Sequence, residues 1–162
     1  MSKKPTKPKK VTVKRLTFEV ALRHVLNQEG GVSNDPRDGG GLTNRGISSK
    51  FYQGLVKKYG YPNKPVTALS SAEITNIYKT WFWKPLARHH ADNPALAIQL
   101  FDHSVNAGVT VASDLLNQGN TTPQMYKNAR ITYYKQRPKC RTFGKGWIAR
   151  ANRTYRKGLE LS

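Results

Sequence analysis

Helical periodicity is the feature that most restricts what this chain can become. From Thr17 onward apolar residues return every three or four positions, whereas convincing two-residue alternation is scarce. Phe18, Ala21, Leu22, Val25 and Leu26 form the first stripe, with Thr17 placed to cap it and Gly30-Gly31 to end it. Phe51, Leu55, Val56 and Tyr59 predict a second helix, closed by Gly60 and Pro62. Ser70-Ser71-Ala72-Glu73 spells a capping box ahead of Ile74, Ile77, Tyr78, Trp81 and Phe82, with Pro85 as the stop. Asn93-Pro94 opens a helix carrying Ala97, Leu100, Phe101 and Val105, which Gly108 closes. A short helix follows around Ala112 to Leu116, Thr122-Pro123 opens another reaching about Gln136, and Trp147, Ile148, Ala151 and Tyr155 mark the last. The expected fold class is mainly α, with little β.

A length of 162 residues suits one domain that buries about two-thirds of its unfolded surface. The outlying quantity is a net charge of +19, which recruits polyanions: nucleic acid, anionic lipid or acidic cell-wall polymer. Charge alone does not choose among them. The single cysteine, Cys140, excludes an intrachain disulfide and a thiolate metal cage. His24, His89, His90 and His103 lack ligand spacing, so neither metal nor cofactor is expected. No apolar run approaches the ~18 residues of a membrane span, and no apolar segment follows the basic N-terminus as in a secretory signal. The reading is therefore of a chain made in a cytoplasm without an export signal.

Residues 1–15 are Lys/Pro-rich and read as a disordered basic tail, either an electrostatic tether to anionic envelope polymers or a solubilising extension. Residues 16–162 form the remaining domain. From Pro123 onward the chain holds 11 of its 28 Lys/Arg residues and one acid, Glu160, a pattern that predicts a solvated basic face on two helices. Tyr126, Tyr133, Tyr134, Phe143 and Trp147 are interleaved with these charges, either as core or as a surface on which sugars or bases stack.

One carboxylate breaks the helical pattern. Glu29 lies eleven residues after Phe18, and at ~100° per residue it returns to nearly the same angular position. It thus continues an apolar stripe at a helix C-terminus, where burial and the helix dipole both disfavour negative charge. A carboxylic acid kept protonated near neutral pH is what glycoside hydrolysis needs to protonate a leaving oxygen. The loop that follows, from Gly30 to Gly46, adds Asp35, Asp38 and Thr43 among six glycines, so three of the chain's nine acids fall within ten residues. A second carboxylate near the first is the other half of a glycosidase pair.

Residues 29–47, EGGVSNDPRDGGGLTNRGI, resemble the signature of glycoside hydrolase family 108, phage and bacterial muramidases. The resemblance extends to LFDHSVNAG at 100–108, and FGKGWIAR at 143–150 is similar to the peptidoglycan-binding segment that closes these proteins, placing that segment within 120–162. It implies a lysozyme-like helical fold, a peptidoglycan substrate and Glu29 as the essential acid. The spacing is also similar to that of phage-type lysozymes: Asp38 matches their Asp, while Thr43 falls one residue short of their Thr. The Lys-rich tail and the short stretch from Gly108 to Pro123 depart from the family pattern.

These observations assign Glu29 as general acid, Asp38 as the group that activates water or stabilises the transition state, and Thr43 as its orienting hydroxyl. Asp35 competes for the Asp38 role. Asp102 and Asn106 share a helix face and either line the cleft or hydrogen-bond the glycine loop. The expected partner is the glycan strand of peptidoglycan, attacked by a monomer that reaches the wall through a separate pore or inside a virion. The rival readings are a lytic transglycosylase, a non-catalytic wall-binding module and a basic nucleic-acid-binding protein; the last leaves the acid-containing glycine loop unexplained.

Overall fold

A computed structural model of the chain describes residues 15–35 and 41–162. Asp38 and residues 1–14 of the expected tail lie outside the described residues. Among those described, the helices are α1 (Phe18–Glu29), α2 (Ser49–Tyr59), α3 (Ser71–Tyr78), α4 (Pro94–Ala107), α5 (Val109–Asn117), α6 (Pro123–Lys135) and α7 (Cys140–Glu160). Between α1 and α2 the chain forms β1 (Val32–Ser33), β2 (Thr43–Asn44) and β3 (Ile47–Ser48). These pair antiparallel in the order β1-β2-β3, with Thr43 opposite both Ser33 and Ser48. The fold is mainly α and lysozyme-like.

Helix starts follow local chemistry. The Thr17, Ser48, Asn93 and Thr122 side chains accept from the backbone N–H groups of Val20, Phe51, Leu96 and Met125, and Ser70 with Glu73 closes both halves of the capping box. Each such cap stabilises its helix by about 1 kcal/mol. The structure departs from expectation where tertiary packing takes over. α3 continues into a π-helical turn, Lys79–Trp83, before Pro85 ends it. That wider turn places Phe82 and Trp83 in the core. α7 spans 21 residues, longer than its apolar positions indicated.

α4 is the centre of the molecule: every residue from Ala95 to Ser104 is buried. Phe101 meets Phe18 and Trp83 at ring-centroid distances of 6.0 and 5.4 Å, joining α1 and the π turn to α4. On the opposite side α7 approaches so closely that a Cβ at Gly158 would lie 2.5 Å from the Ala95 Cα, so only glycine fits there. Polar side chains on a helix buried all round are costly unless they are hydrogen-bonded. The Gln99 amide donates to the carbonyls of Ala95 and Pro123 at 2.8 and 3.0 Å, and the Ser104 hydroxyl donates to Leu100 at 2.6 Å.

The expectation of a purely solvated basic face is corrected here. Arg130 and Arg150 are buried, because α6 and α7 aim them at Asp102 on α4. The aromatic residues divide: Tyr126 and Tyr134 are core, whereas Tyr133, Phe143 and Trp147 stay partly exposed. No described helix is long and apolar enough to cross a membrane.

Candidate active site

The glycine loop is folded over the end of α1 by a two-residue hairpin. Arg45 and Gly46 connect β2 to β3 with φ of 48° and 82°, the positive pair required by a type I′ turn. Three side chains pin this hairpin: the Tyr78 hydroxyl donates to the Arg45 carbonyl, the Asn44 amide donates to Val66 at 2.9 Å, and the Arg45 guanidinium donates to Ser71 at 2.8 Å. Gly46 then lies directly against the catalytic candidate. A Cβ there would fall 2.7 Å from Glu29 Cγ and 2.5 Å from the Tyr78 hydroxyl.

Glu29 is the last residue of α1, and its side chain is 18% exposed. It lines an open cavity of about 340 Å³ with Ser33, Thr43, Gly46, Ser48, Val105 and Asn106. On its buried side, Arg150 Nη2 lies 2.5 Å from Glu29 Oε1. The apolar surroundings expected from the stripe are thus replaced there by a guanidinium. Arg150 also grips Asp102, with Nη2 2.8 Å from Oδ1 and Nε 3.0 and 3.1 Å from the two carboxylate oxygens. Arg130 Nη2 donates to Asp102 Oδ2 at 2.6 Å and the Thr154 hydroxyl donates to the same oxygen at 3.2 Å.

Asp102 is the electrostatic keystone of this cluster. Burial alone would raise its pKa, but the two guanidiniums outweigh it and hold the carboxyl well below the usual range. Burial would likewise lower that of Arg150, yet Asp102 and Glu29 raise it further above its ordinary value. Arg150 is therefore a permanent cation that links the counter-ion Asp102 to Glu29. The network continues to α1 through His24, whose Nε2 is 2.9 Å from the Thr154 hydroxyl. Burial, with a smaller contribution from the Arg130 charge, pushes His103 well below its usual pKa, and its Nδ1 lies 2.8 Å from the Tyr126 hydroxyl.

The structure sorts the sequence-derived residues. Thr43 and Asn106 line the cavity with Glu29; the Thr43 hydroxyl faces the Ser33 carbonyl at 3.4 Å, and the Asn106 carbonyl oxygen accepts from Tyr134 at 2.5 Å. Asp102 does not line the cleft or bond the glycine loop. It is wholly buried, because two arginines claim its oxygens. Asp35 follows β1 and is not part of the cavity wall. Sequence reasoning missed Arg150, Ser33 and Ser48. Arg150 did carry a signal: with Trp147, Ala151, Thr154 and Gly158 it sits on one helix face, a cation in the middle of an otherwise uncharged stripe. Among the described residues no three His, Cys, Asp or Glu side chains converge as a metal cage would.

The family model described as Glycosyl hydrolase 108 matches residues 22–108, just over half of the chain. That span runs from within α1 to the end of α4 and ends before the helices that supply Arg130 and Arg150. The structure is similar to one titled "Structure of Brucella abortus SagA", with a TM-score of 0.74 and 24% identity over 90% of this chain and 95% of that one; the likeness is one of fold. No curated protein matches. The family-model match, covering more than half of the chain, places it in glycosyl hydrolase family 108, and it is a peptidoglycan-hydrolysing N-acetylmuramidase.

Proposed function

We propose that Glu29 is the general acid of this muramidase, protonating the glycosidic oxygen between N-acetylmuramic acid and N-acetylglucosamine as that bond breaks. The observation that carries this role is position: among the described residues, Glu29 is the carboxylate that lines the cleft, and Arg150 holds it by one oxygen. Asp38 activates the attacking water or stabilises the oxocarbenium-like transition state, with Thr43 orienting that water and Asp35 as its competitor. Ser33, Ser48 and Asn106 supply neutral hydrogen-bonding groups to the hydroxyl and acetamido substituents of the sugars. The enzyme acts as a monomer that reaches the wall through a pore or within a virion, and its basic tail engages anionic envelope polymers.

The test is digestion of purified sacculi followed by product mass. Wild-type enzyme should yield reducing muramic ends with one water added per cleavage. Glu29→Gln should lose at least a hundredfold in rate while keeping its far-ultraviolet circular dichroism. Retention of a tenth of wild-type activity would remove Glu29 from the acid role. Asp38→Asn should cost more than Asp35→Asn, and the reverse order exchanges those two roles. A second reading, lytic transglycosylation, draws on the single described carboxylate in the cleft. It is distinguished by anhydromuramic ends, which carry no added water.

A further inference from the structure

Beside the catalytic cavity, with Ser48 as a shared wall, lies a second hollow of about 490 Å³. Its volume is within the ~300–1,000 Å³ range of small-ligand sites. One face of α2 forms its floor, since residues 50, 51, 54, 55 and 58 recur at helical spacing, and Trp81 of the π turn forms its side. The aromatic wall is fixed in advance. Tyr59, 58% exposed, packs on Trp81 at a centroid distance of 4.5 Å, and the Trp81 indole N–H donates to the Tyr61 hydroxyl at 3.0 Å. Gly54 keeps the floor open: a Cβ there would meet nothing within 4 Å. Lys50 and Lys58 stand two turns apart, roughly 12 Å along α2, and both are exposed. Neither forms an ion pair with a carboxylate among the described residues.

The two adjoining hollows differ in chemistry. The catalytic cavity offers Ser33, Thr43, Ser48 and Asn106, which suit neutral, hydroxyl-rich sugars. The hollow beyond Ser48 offers aliphatic and aromatic walls between two ammonium groups. In peptidoglycan, alkyl groups and carboxylates are carried together on the short peptides attached to the muramoyl lactyl groups. We propose that this hollow binds the acidic stem peptide of a muramoyl residue next to the scissile bond. The peptide's alkyl groups lie on Phe51, Leu55 and Trp81, and its carboxylates pair with Lys50 and Lys58. The inference rests on the muramidase reading and extends it: the enzyme selects peptide-bearing strands over bare ones.

The experiment compares stem-bearing glycan strands with strands stripped by an amidase that cleaves the lactyl amide bond. The variants are the Lys50→Ser/Lys58→Ser double substitution, at two exposed positions, and Gly54→Leu, whose Cβ would meet nothing within 4 Å and whose side chain would take up part of the hollow. Both should lower kcat/KM on stem-bearing strands about tenfold, mostly through KM, and leave stripped strands unaffected. Equal losses on both substrates, or no loss on stem-bearing strands, overturn the proposal. A calorimetric titration with free stem peptide separates this proposal from the reading beneath it. Binding to the wild-type chain that weakens at least tenfold in the double variant supports the site even if no glycan is cleaved. Absence of wild-type binding at millimolar peptide overturns it even if glycan cleavage proceeds.

Discussion

Arg150 should be a positioning residue whose loss disarms Glu29 without unfolding the chain. In Arg150→Met the ion pair to Glu29 and the three short contacts to Asp102 disappear, while Arg130 and Thr154 still satisfy Asp102. Breaking a buried pair costs about 3–5 kcal/mol, and the two remaining partners put this case near 3 kcal/mol. For a chain of this size that corresponds to a Tm lowered by roughly 6–12 °C. Domains carry about 5–15 kcal/mol of stability, so the variant should remain folded at 25 °C. With its anchor gone, the Glu29 carboxyl is free to shift, and a displacement near 1 Å costs about 10²-fold in rate. Steady-state kinetics on purified glycan at 25 °C should therefore show kcat reduced about a hundredfold, with KM changed by less than about twofold. Arg150→Lys retains the charge but not the planar fork, and should recover about a tenth of wild-type kcat. The reasoning is refuted if Arg150→Met, corrected for folded fraction by a parallel urea titration, retains more than half of the wild-type kcat.

Gly46→Ala should inactivate the enzyme out of proportion to its stability, because the added methyl is driven into Glu29 Cγ and the Tyr78 hydroxyl at a φ of 82°. A variant with near-normal turnover would show that the hairpin can yield. Stability should fall as pH drops below about 6.5, the ordinary histidine value. The unfolded chain then takes up a proton that His103, held well below that value by burial, refuses in the native core. This residue contributes at most about 1.4 kcal/mol per pH unit, and His103→Asn should flatten that limb in urea melts between pH 7.5 and 5. His24, also lowered by burial, supplies a remainder of the same sign, and an unchanged slope in His103→Asn would refute the assignment. Deleting residues 1–14 removes six lysines. Activity on whole walls should then drop at low ionic strength and converge with the full chain as the Debye length shortens to about 8 Å near 0.15 M salt, whereas turnover of a small neutral substrate should not change.

Local chemistry in the sequence was sufficient for the capped helix starts, and the sequence also singled out Glu29, Thr43 and Asn106 of the cavity wall. Thr17, Ser70 with Glu73, Asn93 and Thr122 cap helices because each hydroxyl, amide or carboxylate meets a backbone N–H within four residues, a relation that does not depend on the rest of the fold. Glu29 was legible for the same reason: its place at the end of an apolar stripe, ahead of a glycine-rich loop, is a property of consecutive residues. The small sheet was not legible, because two-residue strands carry no periodicity and Arg45 departs from the glycine or asparagine usual in such a turn. The partners of Glu29 came only from tertiary structure. Arg150 lies 121 positions later in the chain, and Asp102, which the sequence left between lining the cleft and bonding the glycine loop, is instead a buried counter-ion because α6 and α7 deliver two guanidiniums to it. The physical reason is that an isolated buried charge is costly, so its counter-ion is set by which helices pack together, and sequence spacing along one helix does not encode that choice.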